Sequence, residues 1–293
     1  MQAEKSEMNN MVVNTKLGSI EYSSIGKGTA IVFVHGGHSN CNETLCLKGF
    51  DLERYRLITP SRPGYGNTPL ENNRTPKQAA DLIIELVNHL SIEKIVVYGI
   101  SAGGLTAIEI ASNYPNKVSK LILASAISKK WLDEDGKIYR TAKKMFNPRA
   151  EKFVWGIVKF FSQIFPHMTA NSFYPQFSSN SQHKLKKGDV QELISTMKHY
   201  NSKTGFLNDI DQNINDGIFA KIKCPTLIIH SENDSSVPFE HALHSNKMID
   251  NSIIAKLDNE WGHLFWIGTD SMESITKTLE FIEKKNASTQ HGV

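Results

Sequence analysis

A serine that carries out covalent chemistry must be exposed and held beside a base, because its hydroxyl is a weak nucleophile near neutral pH. Gly99-Ile100-Ser101-Ala102-Gly103 meets the first of those demands. Lys94 to Tyr98 is a β-branched run that reads as a short buried strand, and Leu105 to Ser112 continues with helical apolar spacing. A serine on so sharp a strand-to-helix turn adopts a strained backbone. The residues two before and two after it must be small, because their backbones crowd each other. Gly99 and Gly103 occupy those positions. The following helix aims free N–H groups and its positive dipole end at Ser101, where they favour developing negative charge. The stretch predicts a nucleophile.

A base, and a carboxylate to orient it, must come from elsewhere in the chain. Asp234 sits on the loop leaving the apolar run Thr226 to His230, and His263 on the loop leaving Ser252 to Leu257. The order Ser, Asp, His is expected when the elbow lies on a central strand. Glu232, Asp258 and Glu260 lie close enough in sequence to compete with Asp234 for the orienting role. Trp261, Phe265 and Trp266 would by themselves make His263 a packed core histidine; its place after a strand sets it apart. His241 and His244 share a helical face at metal-ligand spacing, but no third ligand accompanies them, so they read as a surface pair. Neither a metal nor a cofactor is expected.

These loops need a scaffold that brings them to one edge. Met11 to Thr15 and Ile20 to Ser23 flank a turn and predict a hairpin. Ala30 to Val34 is a continuous apolar run of the kind buried on both faces of a parallel sheet, and it ends in His35-Gly36-Gly37-His38. Arg56 to Thr59 and Val118 to Ala124 predict two more strands, and a helix starts near Pro76 with Thr75 as its cap. Helices near 239–248 and 272–285 follow the last two strands. Strand–helix alternation of this kind argues for an α/β fold with a doubly wound, mostly parallel sheet. It breaks off for most of the stretch between Ser128 and Gly217, where only helical segments are visible. One of these has an aromatic-rich face from Arg149 to Phe165, and another carries Asp189 as N-cap with Glu192 at the capping-box position. The expected organisation is a core from 1–127 and 218–293 with a helical lid, 128–217, over the strand ends where ligands bind.

Composition narrows the function classes. Of 293 residues 40% are hydrophobic and 22% charged, which suits an ordinary globular protein. Thirty-three basic residues against 30 acidic leave a formal charge of +3, too small to point to nucleic acid or a membrane surface as partner. Lys184-Leu185-Lys186-Lys187 reads as a solvated helix start. Cys41, Cys46 and Cys224 are odd in number and lack ligand spacing, so neither a disulfide framework nor a zinc site is expected. The polar start, Met1 to Glu7, is unlike a signal peptide, and the tail Asn286 to Val293 reads as frayed. No apolar run is long enough to span a bilayer; Phe153 to Phe161 comes closest and is interrupted by Lys159. A cytoplasmic protein is expected.

The sequence resembles the α/β-hydrolase superfamily with a helical cap over nearly its whole length. The resemblance is carried by His35-Gly36-Gly37, Arg62-Pro63-Gly64-Tyr65-Gly66, the serine elbow, Asp234 before Val237-Pro238, and Gly262-His263. It implies Ser101 as nucleophile, His263 as general base and then acid, Asp234 as orienting carboxylate, and the N–H groups of Gly37 and Ala102 as oxyanion hole. It also implies that His35 braces the oxyanion loop, and that a serine elbow excludes the dehalogenation and epoxide-opening branches, which use an aspartate. The loop resembles that of proline iminopeptidases too, but His38-Ser39 replaces the Pro-Gly found there, which counts against a peptidase. The expected substrate is a small or medium, fairly apolar carboxylic ester. Carbon–carbon bond, lactone and aminoacyl hydrolysis stay open on the same triad, as does a ligand sensor with little turnover. His38, Trp155, Phe160, Phe161 and Trp261 are the candidates for the substrate pocket, although packing alone could account for each of these aromatics.

Overall fold

A computed structural model describes residues 10–147, 149–180 and 184–284. The expectations for the polar start and the frayed tail lie outside the described residues. β1 (Met11–Thr15) and β2 (Gly18–Gly26) form the hairpin, with Met11 opposite Tyr22. β3 (Thr29–Val34), β4 (Tyr55–Pro60), α1 (Pro76–His89), β5 (Ile95–Ile100), α2 (Gly104–Asn113) and β6 (Val118–Ala124) follow. Thr75 caps α1 in a reciprocal box, its hydroxyl accepting from Gln78 N–H and Gln78 returning to its backbone.

Among the described residues one sheet contains eight strands in the order β1-β2-β4-β3-β5-β6-β7-β8, the last two being β7 (Thr226–Ser231) and β8 (Ser252–Leu257). The pairs from β4 through β8 are parallel, and only β1–β2 and β2–β4 are antiparallel. Side chains alternate across each strand. Val32, Val34 and Val97 join one apolar cluster with α1 and α2; Ile31, Phe33, Val96 and Tyr98 join another on the opposite face. Both faces of the central strands are therefore dry, which is why their sequences are apolar throughout instead of alternating.

Between β6 and β7 come α3 (Lys137–Met145), α4 (Glu151–Ile164), α5 (Pro166–Phe177), α6 (Lys187–Met197) and α7 (Gly205–Asp209). α8 (Glu240–Met248) and α9 (Ser271–Glu283) follow β7 and β8. The inserted helices meet the loops that leave the carboxyl ends of four strands. After β3, Asn40 Nδ2 donates to the His199 carbonyl at 2.8 Å; after β4, Gly205 N donates to the Gly64 carbonyl at 3.0 Å. After β7, Ser179 N donates to the Asn233 carbonyl at 2.9 Å, and after β8 the Tyr174 hydroxyl donates to the Glu260 carbonyl at 2.6 Å. The insertion thus lies on the strand ends. One sequence expectation fails here. α6 begins at Lys187, so Asp189 falls inside its first turn and is no N-cap. Its carboxylate instead accepts the Trp261 indole N–H at 3.1 Å, a buried partner worth more than a solvated helix end.

Candidate active site

β5 ends at Ile100, and a single 3₁₀ turn, Ser101–Gly103, leads into α2. Ser101 has φ +49°, in the left-handed region that costs a residue with a side chain about 1–2 kcal/mol. The two glycines make this turn possible. A Cβ on Gly103 would lie 2.1 Å from the Val34 carbonyl oxygen, and one on Gly99 would lie 2.4 Å from Ala107 Cβ. Strand, turn and helix therefore pack with no room for any other residue at either position.

The loops after β7 and β8 bring their side chains to this serine. Ser101 Oγ lies 3.1 Å from His263 Nε2, and His263 Nδ1 lies 2.8 Å from Asp234 Oδ2. Asp234 Oδ1 accepts the backbone N–H groups of Ser236 and Val237, each at 2.8 Å. Burial alone would raise this carboxyl; the facing His263, with hydrogen bonds from His230 and His263, holds it well below the usual carboxylate range. The three competing acids are occupied elsewhere. Glu232 pairs with Lys256 at 3.1 Å, Glu260 with Lys186 at 3.6 Å, and Asp258 accepts Asn233 Nδ2 at 2.9 Å. An ionised carboxylate on one nitrogen and a hydroxyl on the other is an arrangement that can draw a proton from Ser101.

Beside Ser101 runs the loop after β3. A Cβ on Gly36 would come within 3.0 Å of Ser101 Cβ, so the loop backbone lies directly against the nucleophile candidate. His35 Nδ1 donates to the Gly36 carbonyl at 2.7 Å, and its Nε2 accepts Arg62 N–H at 2.9 Å. Arg62 Nη2 donates to the same carbonyl at 3.2 Å. A trans peptide points its N–H opposite to its carbonyl, so holding Gly36 O in this way fixes the direction of Gly37 N–H. Burial, and the nearby Arg62 charge, push His35 well below the ordinary imidazole range, in keeping with a neutral brace. Ala102 N–H belongs to the first helical turn, where amides have no intrahelical acceptor.

The pocket candidates separate. His38 Nδ1 lies 2.6 Å from Ser202 Oγ, which also accepts the Trp155 indole N–H at 2.7 Å. His38 is thus tied to Ser202, the residue that also holds Trp155. Desolvation among Phe206, Phe146 and Trp155 pushes its pKa down to about 3. Trp155 is buried against this cluster. Phe160 and Phe161 are not brought there: they lie on the opposite side of α4, 58% and 41% exposed. Trp261 is buried under Tyr174 and holds α6 through Asp189, a docking contact. His241 and His244 are no surface pair either. His241 is buried, with its Nδ1 accepting Ser128 N–H at 3.2 Å, and burial pushes its pKa down to about 4. His244 Nδ1 lies 3.0 Å from Ser128 Oγ. Among the described residues no cluster of His, Cys, Asp and Glu could hold a metal ion.

His230 and Arg62 are among the site residues to which the sequence reading gave no role. His230 Nε2 donates to the Val237 carbonyl at 2.8 Å and lies 3.2 Å from Asp234 Oδ2, so Asp234 has a second histidine on it. The available signal was a polar residue closing the apolar run Thr226 to Ile229. Arg62 stood in a family motif without a role. In the structure it forms a two-pronged ion pair with Asp209 of α7, both bonds 2.7 Å and both groups buried. No local pattern joins residues so far apart in sequence.

Known proteins agree with this architecture. A family profile described as the alpha/beta hydrolase fold matches residues 29–267. The chain is 36% identical to the uncharacterized hydrolase YcgS of Bacillus subtilis strain 168, over 91% of this chain and 95% of that one. It is 26% identical to a bifunctional esterase/perhydrolase of Acinetobacter calcoaceticus, over 91% and 97% of the two chains. An alpha/beta hydrolase fold protein from Nakamurella multipartita superposes with a TM-score of 0.73 at 23% identity, covering 93% and 98%. With its sheet order, its strained serine elbow and these matches, the chain belongs to the α/β-hydrolase fold family.

Proposed function

We propose that the protein is a serine hydrolase that cleaves a small or medium, fairly apolar carboxylic ester through an acyl-serine intermediate. The observation that carries this reading is the unbroken chain from Ser101 Oγ through His263 to Asp234, at 3.1 and 2.8 Å, on a serine held at φ +49°. His263 takes the Ser101 proton as the hydroxyl attacks the ester carbonyl, and returns it to the leaving alcohol. Asp234 keeps the His263 proton on Nδ1 and stabilises the imidazolium. Gly37 and Ala102 N–H groups receive the oxyanion; removing one such donor from a related site costs about 3–4 kcal/mol of transition-state stabilisation. A water activated by His263 then hydrolyses the acyl-serine.

In this reading residues 1–127 and 218–293 form the hydrolase core, and 128–217 form the cap. The cap covers the site from the strand ends, and its inner wall at Trp155, Phe146 and Phe206 suits an apolar acyl or alcohol group. The esterase named among the relatives supports the ester class. The test is labelling with a fluorophosphonate, alongside turnover of a panel of esters, lactones, thioesters and aminoacyl amides. Stoichiometric labelling that disappears in Ser101→Ala, with esters as the best substrates, is expected. Undiminished labelling of another serine would reject the nucleophile, and amides turned over faster than esters would reject the substrate class.

A further inference from the structure

The +3 net charge conceals an uneven distribution. Residues 137–188 contain ten lysines and arginines and one acid, Glu151; the remainder of the chain has 23 basic and 29 acidic residues. Glu151 is buried and accepts Lys203 N–H at 3.1 Å, so it offers nothing to the surface. From Lys152 to Gly188 there is no carboxylate at all.

α4 crosses this basic stretch. At 3.6 residues per turn, Glu151, Trp155 and Ser162 form its inner stripe, and all three are buried. Phe153, Ile157, Phe160 and Ile164 form the opposite stripe, and Phe161 and Phe165 extend it; all are exposed, Phe153 by 71%. Phe160 packs edge-on against Phe161, and Phe161 stacks on Phe165, so the patch is contiguous. Lys152 and Lys159 border the exposed stripe along one edge, one residue before Phe153 and Phe160. A contiguous apolar patch of this sort on a folded surface marks an interaction site. Aromatic and aliphatic residues on one face with lysines at its margin suit the boundary between lipid headgroups and acyl chains, where the lysine stems lie along the apolar layer and the ammonium groups reach the phosphates.

We propose that the outer face of α4 is a docking surface for an anionic lipid bilayer. A second copy of the chain fits the same face poorly. An antiparallel two-fold contact would bring Lys152 and Lys159 alongside those of the other copy, and the segment has no carboxylate to separate them. An anionic bilayer supplies both the apolar layer and the negative charge. The inner stripe of the same helix, at Trp155, touches Ser202 and His38, so docking would bring the Trp155 wall to within about one helix diameter, 10–12 Å, of the lipid. The proposal uses no residue of the Ser101 triad and stands or falls separately from the hydrolase reading.

The experiment is co-sedimentation of the full-length protein with sucrose-loaded vesicles, of phosphatidylcholine alone or of equimolar phosphatidylcholine and phosphatidylglycerol, at low and high salt. Partition onto the anionic vesicles alone, weakened by salt, is expected. Lys152→Glu and Lys159→Glu together should lower the partition by at least about twenty-five-fold, about fivefold for each charge removed. Phe153→Ser with Phe160→Ser should lower it by about tenfold or more. Circular dichroism checks that these surface variants keep the parent's fold. In an otherwise parental chain, Phe160→Trp places a reporter on the face, and its emission should shift to the blue when anionic vesicles are added. Equal partition onto both vesicle types, or undiminished binding by the variants, would overturn the proposal. So would binding to polyglutamate without binding to vesicles, which would assign the face to an acidic protein. A concentration-dependent dimer that Phe160→Ser dissolves, again without vesicle binding, would assign it to a second copy.

Discussion

Two buried carboxylates lie at the carboxyl edge of the sheet, and their partners differ in kind. Asp234, at the rim beneath Ser101, faces two histidines and two backbone N–H groups. Asp209, at the joint between the inserted helices and the loop after β4, faces the Arg62 guanidinium and the Tyr65 hydroxyl, at 2.7 and 2.6 Å. A histidine can gain and lose its proton near neutral pH, whereas a guanidinium cannot. Burial would lower Arg62, but the Asp209 carboxylate outweighs it and pushes the group above its already high range. The rim therefore holds a carboxylate that can respond to a proton moving past it. The joint holds one that can only clamp.

The clearest way to break the comparison is to neutralise each carboxylate without changing its shape. Asp234→Asn should leave the fold in place but allow the wrong His263 tautomer, lowering kcat for an ester by about 10⁴-fold, the size seen for this change in a serine protease. Kinetics equal to the parent's would remove Asp234 from the proposed role. Asp209→Asn should act on stability instead. It strands a buried guanidinium and should cost about 3–5 kcal/mol, read from the urea midpoint. Replacing both partners, Arg62→Met with Asp209→Leu, should recover much of that loss, since no charge is then left unpaired. A double variant no more stable than Asp209→Asn would mean that the pair does more than clamp.

Acid should sharpen the difference further. His35, His38 and His241 are all held below the ordinary value of 6.5, His38 at about 3 and His241 at about 4. Between those values and 6.5 the unfolded chain binds protons that the folded chain refuses. The stability they confer is full above 6.5 and falls as the pH drops towards about 4. Asp234, depressed from 3.8, keeps its contribution through that window and loses it only at lower pH. Unfolding near pH 5 should then take up about three protons, measured from the pH dependence of the urea midpoint. A midpoint that stays flat between about pH 7 and 5 would contradict this.

The smallest effect is expected at the inner wall of the insertion. Trp155→Phe keeps an aromatic ring against His38 but removes the donor to Ser202. It should change KM and acyl-chain preference within about tenfold, the range of a modest pocket change. The rate of fluorophosphonate labelling at Ser101 should stay near the parent's. A larger loss in labelling than in KM would place Trp155 in support of Ser101 itself.

The serine elbow was legible because everything it needs is local. A buried strand, two glycines that avoid contacts of 2.1 and 2.4 Å, and a helix start all fall within one short stretch. The mostly parallel sheet and the place of Asp234 and His263 after their strands were legible for a related reason: doubly wound sheets expose the same edge of every parallel strand. The sequence by itself pointed to the α/β sheet, to three side chains that the structure brings into contact, and to the helices between β6 and β7. Only the tertiary structure decided which histidines share a carboxylate, that Arg62 is clamped by Asp209 across 147 residues, and that His241 is buried. The same holds for α4, where apolar periodicity favours Phe153, Ile157, Phe160 and Ile164 as the inner face, whereas the structure buries Glu151, Trp155 and Ser162. Trp155 lies inside with its indole N–H on the Ser202 hydroxyl, a partner distant in sequence, and Phe160 lies outside.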